Sequence, residues 1–180
     1  NSNLKHDARS NTECRTDQRV FDYADKLTGN EEQSLEKKIA KWEDKTGMDI
    51  VVMTIDNAQA QSMFGTYMDD TYYEEFEAIK TVAKSFSEQE RFGWENWEYN
   101  PQSNRSTSDG YVPSDSIIIA ANYEAGDVGM STTGTRVRAR ISDSKASSLT
   151  EKGGKYLRED AEKGFATMIQ GAVPVSYTHL

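Results

Sequence analysis

The segment TGNEEQSLEKKIAKWEDKTGMDIVVMTID, residues 28–56, decides the fold of this chain. Its first half predicts a helix, because Thr28 and Glu31 have the spacing of a capping box and apolar residues then recur at helical intervals. Gly47 ends the helix, since glycine adopts the left-handed conformation at little cost. Residues 50–55 form a nearly continuous apolar run, which is typical of a strand covered on both faces. A helix that leads directly into a buried strand predicts a layered α/β domain.

Length and charge limit the class of protein. At 180 residues the chain is long enough for one domain with a substantial core and short for two. It carries 30 acidic and 21 basic residues, a formal net charge of −9, and such a surface repels phosphate backbones. We therefore expect no nucleic-acid partner. No apolar run reaches the roughly 18 to 20 residues that span a bilayer, so we expect no membrane span within this sequence.

The two ends of the sequence lack the periodicity of the middle. Residues 1–18 are polar and charged, and we expect them to form a disordered or poorly packed leader. Residues 171–180 show neither a period nor a cap, and we expect a tail outside the domain, which then spans residues 19–170. Because the sequence begins without methionine and without a signal-type apolar stretch, we also expect it to be a trimmed piece of a longer precursor.

Beyond residue 56 the pattern predicts another helix and a hairpin. Residues 57–61 look like a polar connection, and apolar residues at steps of three and four then predict a long amphipathic helix over residues 64–86. Residues 117–121 predict a second buried strand. The alternating residues 128–132 predict its antiparallel partner, joined to it by a turn.

The C-terminal third begins with an alternating segment and continues with a helical pattern. If residues 136–141 are extended, their three arginines share one face, where they either hold an anion or protect an edge strand. Helical spacing then runs over residues 149–168 and is interrupted at Gly153 and Gly154. This pattern predicts either two helices or one kinked helix.

Residues 87–114 lose all periodicity and contain several aromatic residues, namely Trp94, Trp97, Tyr99 and Tyr111. A loop of this length is uncommon in a compact domain and is either functional or disordered. The rings either stack on a sugar or peptide ligand or cover apolar surface of the domain. We favour the covering role, because two tryptophans need burial before they need a ligand.

Several catalytic chemistries lack the residues that they need. His6 and His179 are the only histidines and lie outside the periodic region, so histidine triads and histidine zinc sites are not expected. Cys14 is the single cysteine, which excludes an intrachain disulfide and a CxxC motif. Neither a dinucleotide-binding nor a P-loop motif occurs. Of the catalytic chemistries considered, only those that use carboxylates have the residues that they need.

The order of short motifs resembles the TPM domain, a family named for thylakoid, photosystem and receptor-associated members and abundant among bacterial envelope proteins. In order, the matching motifs are VFDYADKLT from residue 20, DIVVMTID from residue 49, YMDD from residue 67, DSIII from residue 115, STTG from residue 131 and ISD from residue 141. The resemblance implies a three-layer α/β/α sandwich with a small mixed central sheet. Two departures are Ser116, where relatives usually have glycine, and residues 77–114, which form a longer insert than is usual.

The resemblance also implies a site. The acidic positions that match family motifs are Asp22, Asp70, Asp115 and Asp143. We expect these aspartates to converge at one rim of the sandwich and to bind a divalent cation, calcium first, since hard cations take about six to eight oxygen ligands. Three of the four lie at predicted strand or helix boundaries, where α/β sheets gather ligands. The alternative is that each aspartate caps a helix or fixes a turn on its own.

Three functions are consistent with these patterns. The first, implied by the resemblance, is an extracytoplasmic module that binds calcium and acts through contacts with membrane or envelope proteins. The second is a metal-assisted phosphatase, in which the cation polarises a phosphoryl oxygen and an arginine neutralises charge. The third is a module that binds glycans or peptides through the aromatic insert. We favour the first, because the sequence supplies no evident general base other than carboxylates.

Overall fold

A computed structural model describes residues 14–65, 77–93 and 114–177 and shows a four-stranded sheet with helices on both faces. The strands are β1 (Val20–Asp22), β2 (Asp49–Ile55), β3 (Ser116–Asn122) and β4 (Asp127–Thr133). They lie in the order β1-β2-β3-β4. The first three run parallel, and β4 pairs with β3 in the antiparallel direction. The predicted mixed sheet and the predicted hairpin are confirmed.

Helices form the two outer layers. They are α1 (Gly29–Thr46), α2 (Asn57–Phe64), α3 (Glu77–Glu90), α4 (Thr135–Arg140), α5 (Asp143–Leu157) and α6 (Ala161–Tyr177). One core joins α1, α5 and α6 to one face of the sheet, and a second core joins α2 and α3 to the other. Successive residues of β2 enter the two cores alternately, as the pleat of a strand requires. The α/β/α sandwich is confirmed.

The first helix and strand form as their sequence predicts. Thr28 Oγ1 accepts a hydrogen bond from the Glu31 amide at 3.2 Å, and Glu31 Oε1 accepts one from the Thr28 amide at 3.1 Å. Gly47 follows α1 with a left-handed φ of 71°. All seven residues of β2 are buried.

A buried ion pair fixes the chain just before β1. Arg19 and Glu43 are both fully buried, and Arg19 Nε lies 2.9 Å from Glu43 Oε1. The Arg19 guanidinium also lies 5.0 Å from the centre of the Phe92 ring. Upstream of this pair, the Arg15 amide donates to the Glu90 carbonyl at 3.0 Å. Residues 15–18 of the expected leader are thus held against the domain.

The connection after β2 differs from the sequence interpretation. Residues 57–64 are helical, because Asp56 and Gln59 form a second capping box at their start. Ala60 is the only buried residue of this helix, which explains why the segment looked like a polar connection. The long helix predicted for residues 64–86 does not start at Phe64, which ends α2 before Gly65 with its left-handed φ of 64°. Residues 77–86 belong to α3, and residues 66–76 lie outside the described residues.

The condition set for the arginine-rich segment, an extended conformation, is not met. It forms α4 rather than an extended strand, and residues two apart on a helix do not share a face. Gly134, with φ 89° and ψ 147°, turns the chain out of β4 immediately before this helix. The helix then buries Val137, and Ile141 is buried at its end. Burial of these apolar residues at helical spacing decided the local structure.

Two C-terminal helices are confirmed, but the break lies at residues 158–160 and not at the glycine pair. Gly153 is instead where α5 meets α6: a Cβ on Gly153 would overlap Met168 and lie 2.9 Å from the Gly164 carbonyl oxygen. The last helix continues past residue 170, the boundary that the sequence suggested, and it buries Ala172 and Val173.

We predict opposite effects for two neighbouring glycine substitutions. Gly153→Ala should lower the free energy of unfolding by about 2 kcal/mol, because the new methyl group has no room between α5 and α6. Gly154→Ala should raise it by up to about 1 kcal/mol, since its Cβ would meet only Val128 at 3.6 Å and alanine favours the helix. Urea denaturation of both variants measures the difference. Equal effects would contradict the packing described for α5 and α6.

Candidate functional site

Asp22 ends β1 and fixes the turn that leads into α1. Its Oδ1 accepts hydrogen bonds from the Lys26 amide at 2.8 Å and from Thr54 Oγ1 at 2.6 Å. Its Oδ2 accepts a bond from the Leu27 amide at 2.9 Å. Both carboxylate oxygens are therefore bound by donors of the protein itself, and they tie β1, β2 and the start of α1 together.

Asp115 and Asp143 lie near the two ends of α4. Asp115 directly precedes β3, and its Oδ1 accepts a hydrogen bond of 3.3 Å from the Val137 amide in the first turn of α4. The N-cap of that helix is Gly134, which has no side chain of its own to accept such a bond. Asp143 is the exposed first residue of α5 and follows the N-cap residue Ser142.

The expectation that the aspartates converge was wrong for Asp22 and Asp115. Asp22 pairs with Thr54 near the carboxyl end of β2, whereas Ser116, the residue after Asp115, pairs with Asp49 at the amino end. At the rise of a strand, these two levels of the sheet are separated by roughly 20 Å. Asp70 lies outside the described residues. Within the described part of the chain, no three His, Cys, Asp or Glu side chains are grouped to hold a metal ion.

Acidic side chains gather around Asp22 at the carboxyl end of the sheet. Burial, followed by the charge of Asp22 and a side-chain hydrogen bond with it, raises the pKa of Glu32. The charges of Asp25 and Glu36 act in the same direction. Burial, with the charges of Asp22 and Glu31, also raises the pKa of Tyr123 to about 12. Several carboxylates thus lie near Tyr123 at this end of the sheet, together with Lys26, whose Nζ lies 5.4 Å from the centre of the Tyr123 ring.

A groove runs along β4, the edge strand, between α3 and α5. It consists of two cavities of about 510 and 540 Å³ that share Lys80 and Met130 in their linings. Within the described residues, β3 is the only strand that pairs with β4. Gly129 lets α3 approach this edge closely, because a Cβ there would lie 2.8 Å from Ile79 Cγ2. We call this feature the β4 groove.

The two cavities of the β4 groove differ in polarity. The first lies between α5 and the first half of β4, and Val128, Met130 and Ala146 give it an apolar lining. The second lies beside the other half of β4 and is lined mainly by hydroxyl and charged groups, among them Thr132 and Asp143. An apolar contact and a polar or charged contact are thus available side by side along one strand.

Cations outnumber carboxylates in the β4 groove. The cationic residues are Lys80, Lys84, Arg138 and Lys155, and the acidic ones are Asp143 and Glu151. The whole chain, by contrast, has a net charge of −9. The groove is therefore a local basic surface on an acidic protein, and it suits an anionic ligand.

Of the predicted site residues, the β4 groove contains Asp143 alone among those that the structure describes. The sequence contained a signal for part of the remaining lining. Lys80 and Lys84 are four residues apart and so share a helix face, as do Glu151 and Lys155. What the sequence did not indicate is that α3 and α5 flank the same strand. The aromatic residues from Trp94 to Tyr111 lie outside the described residues.

Comparison with known proteins found one matching family model and a solved structure with a similar fold. The sequence model of the TPM domain matches residues 20–175. A search of curated protein sequences found no match. The solution NMR structure of the N-terminal domain of a protein from P. gingivalis is similar in fold, with a TM-score of 0.57 and 12% identity, over 91% of this chain and 84% of that one. Among the described residues, no helix is both long and apolar enough to cross a membrane.

We predict that two of the sequence-predicted aspartates differ sharply in their effect on stability. Asp22→Ala should lower the free energy of unfolding by about 3 kcal/mol, because it leaves three donors without their carboxylate acceptor. Asp143→Ala should cost less than about 1 kcal/mol, since Asp143 is exposed in the first turn of a helix. Denaturant titrations without added metal measure both. An Asp22→Ala protein as stable as Asp143→Ala would contradict the structural role of Asp22.

Proposed function

The chain belongs to the TPM domain family, and we propose that it is an extracytoplasmic binding module that acts through protein contacts in the β4 groove. The observation that supports this proposal is the groove along β4. Among the described residues, no strand pairs with the edge of β4 that faces away from β3. An edge strand presents backbone donors and acceptors that another chain can use. Each cavity also falls within the size range of ordinary ligand sites, about 300 to 1,000 Å³.

Location and partners are part of the same proposal. The resemblance to envelope proteins implies that this domain works outside the cytoplasm, secreted or held there by segments beyond this sequence. We therefore propose membrane or envelope proteins as its partners. A binding role also suits the chemistry of the groove, where Asp143 is accompanied by cations and hydroxyl groups rather than by a group of metal ligands. The alternative of a metal-assisted phosphatase has less support for that reason.

Site-specific photo-crosslinking tests the proposal and does not require the partner to be identified first. We expect a photoreactive p-benzoylphenylalanine in place of Ser147, an exposed residue in the groove lining, to form protein adducts in the native host. The same group in place of Lys37 should form none, because Lys37 is exposed on α1, which packs away from the groove. Adducts at neither position, or equally at both, would contradict a partner in the groove.

Calcium binding has less support, because both oxygens of Asp22 already accept hydrogen bonds from the protein and no three acidic side chains of the described residues are grouped to hold a metal ion. The raised pKa of Glu32 shows that its charged form is disfavoured where it lies, beside Asp22 and Asp25. Burial is the largest cause of this shift and the charge of Asp22 is the next, so the shift alone does not indicate a bound cation.

The direction of the Glu32 shift fixes the expected dependence on pH. A raised folded-state pKa means that stability is lost as the pH rises through that pKa, because the folded protein must give up a proton that it holds more tightly. Glu32→Gln should therefore raise the melting temperature at neutral pH and leave it unchanged in acid. Equal melting temperatures of the variant and the wild-type protein at neutral pH would contradict the raised pKa of Glu32.

A further inference from the structure

We propose that the β4 groove takes an extended, acidic segment of a partner protein, which pairs with β4 as a fifth strand. The inference rests on the proposed function and adds the chemistry and conformation of the ligand. Peptides bind in this way to other exposed sheet edges, where main-chain hydrogen bonds provide affinity and alternate side chains provide specificity. The polarity of the edge, the two cavities and the charges of the flanking helices each support such a ligand.

The residues of β4 do not themselves provide the usual protection of an edge against pairing. Exposed edge strands are commonly shielded by charged residues or by proline within the strand. After Asp127, β4 reads VGMSTT and contains neither. The charged side chains stand instead on the neighbouring helices, where Lys80 and Lys84 belong to α3 and Lys155 to α5. They flank the edge and leave its backbone without a charged side chain of its own.

The two cavities define which side chains the incoming strand carries. β4 is seven residues long, or about 24 Å, so a segment of similar length follows it from end to end. Opposite Val128 and Met130 the segment meets the apolar cavity against α5. Opposite Thr132 it meets the cavity lined by Lys84 and Arg138. The geometry therefore selects apolar residues for one end of the segment and carboxylates for the other.

The charge of the β4 groove favours an acidic segment of another protein over a second copy of this chain. A second copy of this chain, paired edge to edge through β4, would bring two sets of Lys80, Lys84 and Arg138 together, and like charges at short range repel one another. An acidic segment from a different protein replaces this repulsion with attraction. The excess of cations in the groove is thus complementary to the partner and unfavourable for self-association.

Fluorescence anisotropy with defined peptides tests the inference. The probe is a labelled seven-residue peptide with valines at one end and glutamates at the other, supplied in both sequence directions because the geometry fixes no polarity. One control peptide carries lysine in place of glutamate. Another has alternate backbone amides methylated, which removes the donors that pair with a strand. We expect only the acidic, unmethylated peptide to bind, and we expect its binding to slow hydrogen exchange of β4 amides.

Charge-reversed variants locate the binding. Lys84→Glu combined with Arg138→Glu should weaken binding by about tenfold or more, because both exposed cations flank the proposed strand. Lys37→Glu combined with Lys41→Glu on the exposed face of α1 changes the net charge equally and should leave binding unchanged. Both pairs replace exposed side chains, and circular dichroism confirms that the variants are folded.

Other outcomes would overturn the inference. Equal binding of the lysine peptide, full binding of the methylated peptide or equal losses in both charge-reversed variants would each show that no acidic strand pairs with β4. Absence of binding by any peptide would mean that the flanking cations only protect the edge. If crosslinks from position 147 still form in that case, the proposed protein contact stands without this ligand. If those crosslinks are absent as well, both proposals fall.

Discussion

Burial of two adjacent parallel strands on both faces is the constraint from which the rest of the structure follows. β2 and β3 are buried at every position, so each face of the sheet must be covered by helices. Parallel strands also need a crossover connection, which the chain provides between β1 and β2 through α1. The hairpin to β4 then leaves α3 on one side of the sheet and α5 on the other. The β4 groove is the space between these helices beside β4, the last strand of the sheet among the described residues.

Polar contacts complete the amino end of this sheet, at the base of the long insert. The buried Asp49 accepts a hydrogen bond of 2.9 Å from the Gly93 amide, and the Gly93 carbonyl accepts one of 2.7 Å from the Ser114 amide. Gly93 and Ser114, the described residues on either side of residues 94–113, therefore meet beside the sheet. In the same region, Ser116 Oγ lies 2.6 Å from Thr133 Oγ1. Its hydroxyl occupies space that a Cβ on Gly93 would need, so the serine and the glycine fit together.

Patterns among neighbouring residues predicted much of the fold. The site depends on which distant segments pack together, and the sequence predicted little of that. The capping box at Thr28 and the buried run of β2 depend on neighbours in the chain, so they could be read directly. The arginine segment was misinterpreted because alternation with apolar residues also fits a helix that buries Val137 and Ile141. The sequence could have shown that Asp22 and Asp115 lie at opposite ends of the sheet. Asp22 ends a strand, whereas Asp115 precedes a strand that runs in the same direction.

The distribution of charge links the fold to its proposed role. Acidic residues surround Asp22 at the carboxyl end of the sheet, and cations surround β4 at its edge. The proposed acidic segment would be repelled by the first surface and attracted by the second, and this difference would orient its encounter with the protein. Because the cations belong to α3, α4 and α5, their common location depends on packing around β4 rather than on any single motif. A surface of this kind is specified by the fold, which is why residues far apart in the sequence can form one binding edge.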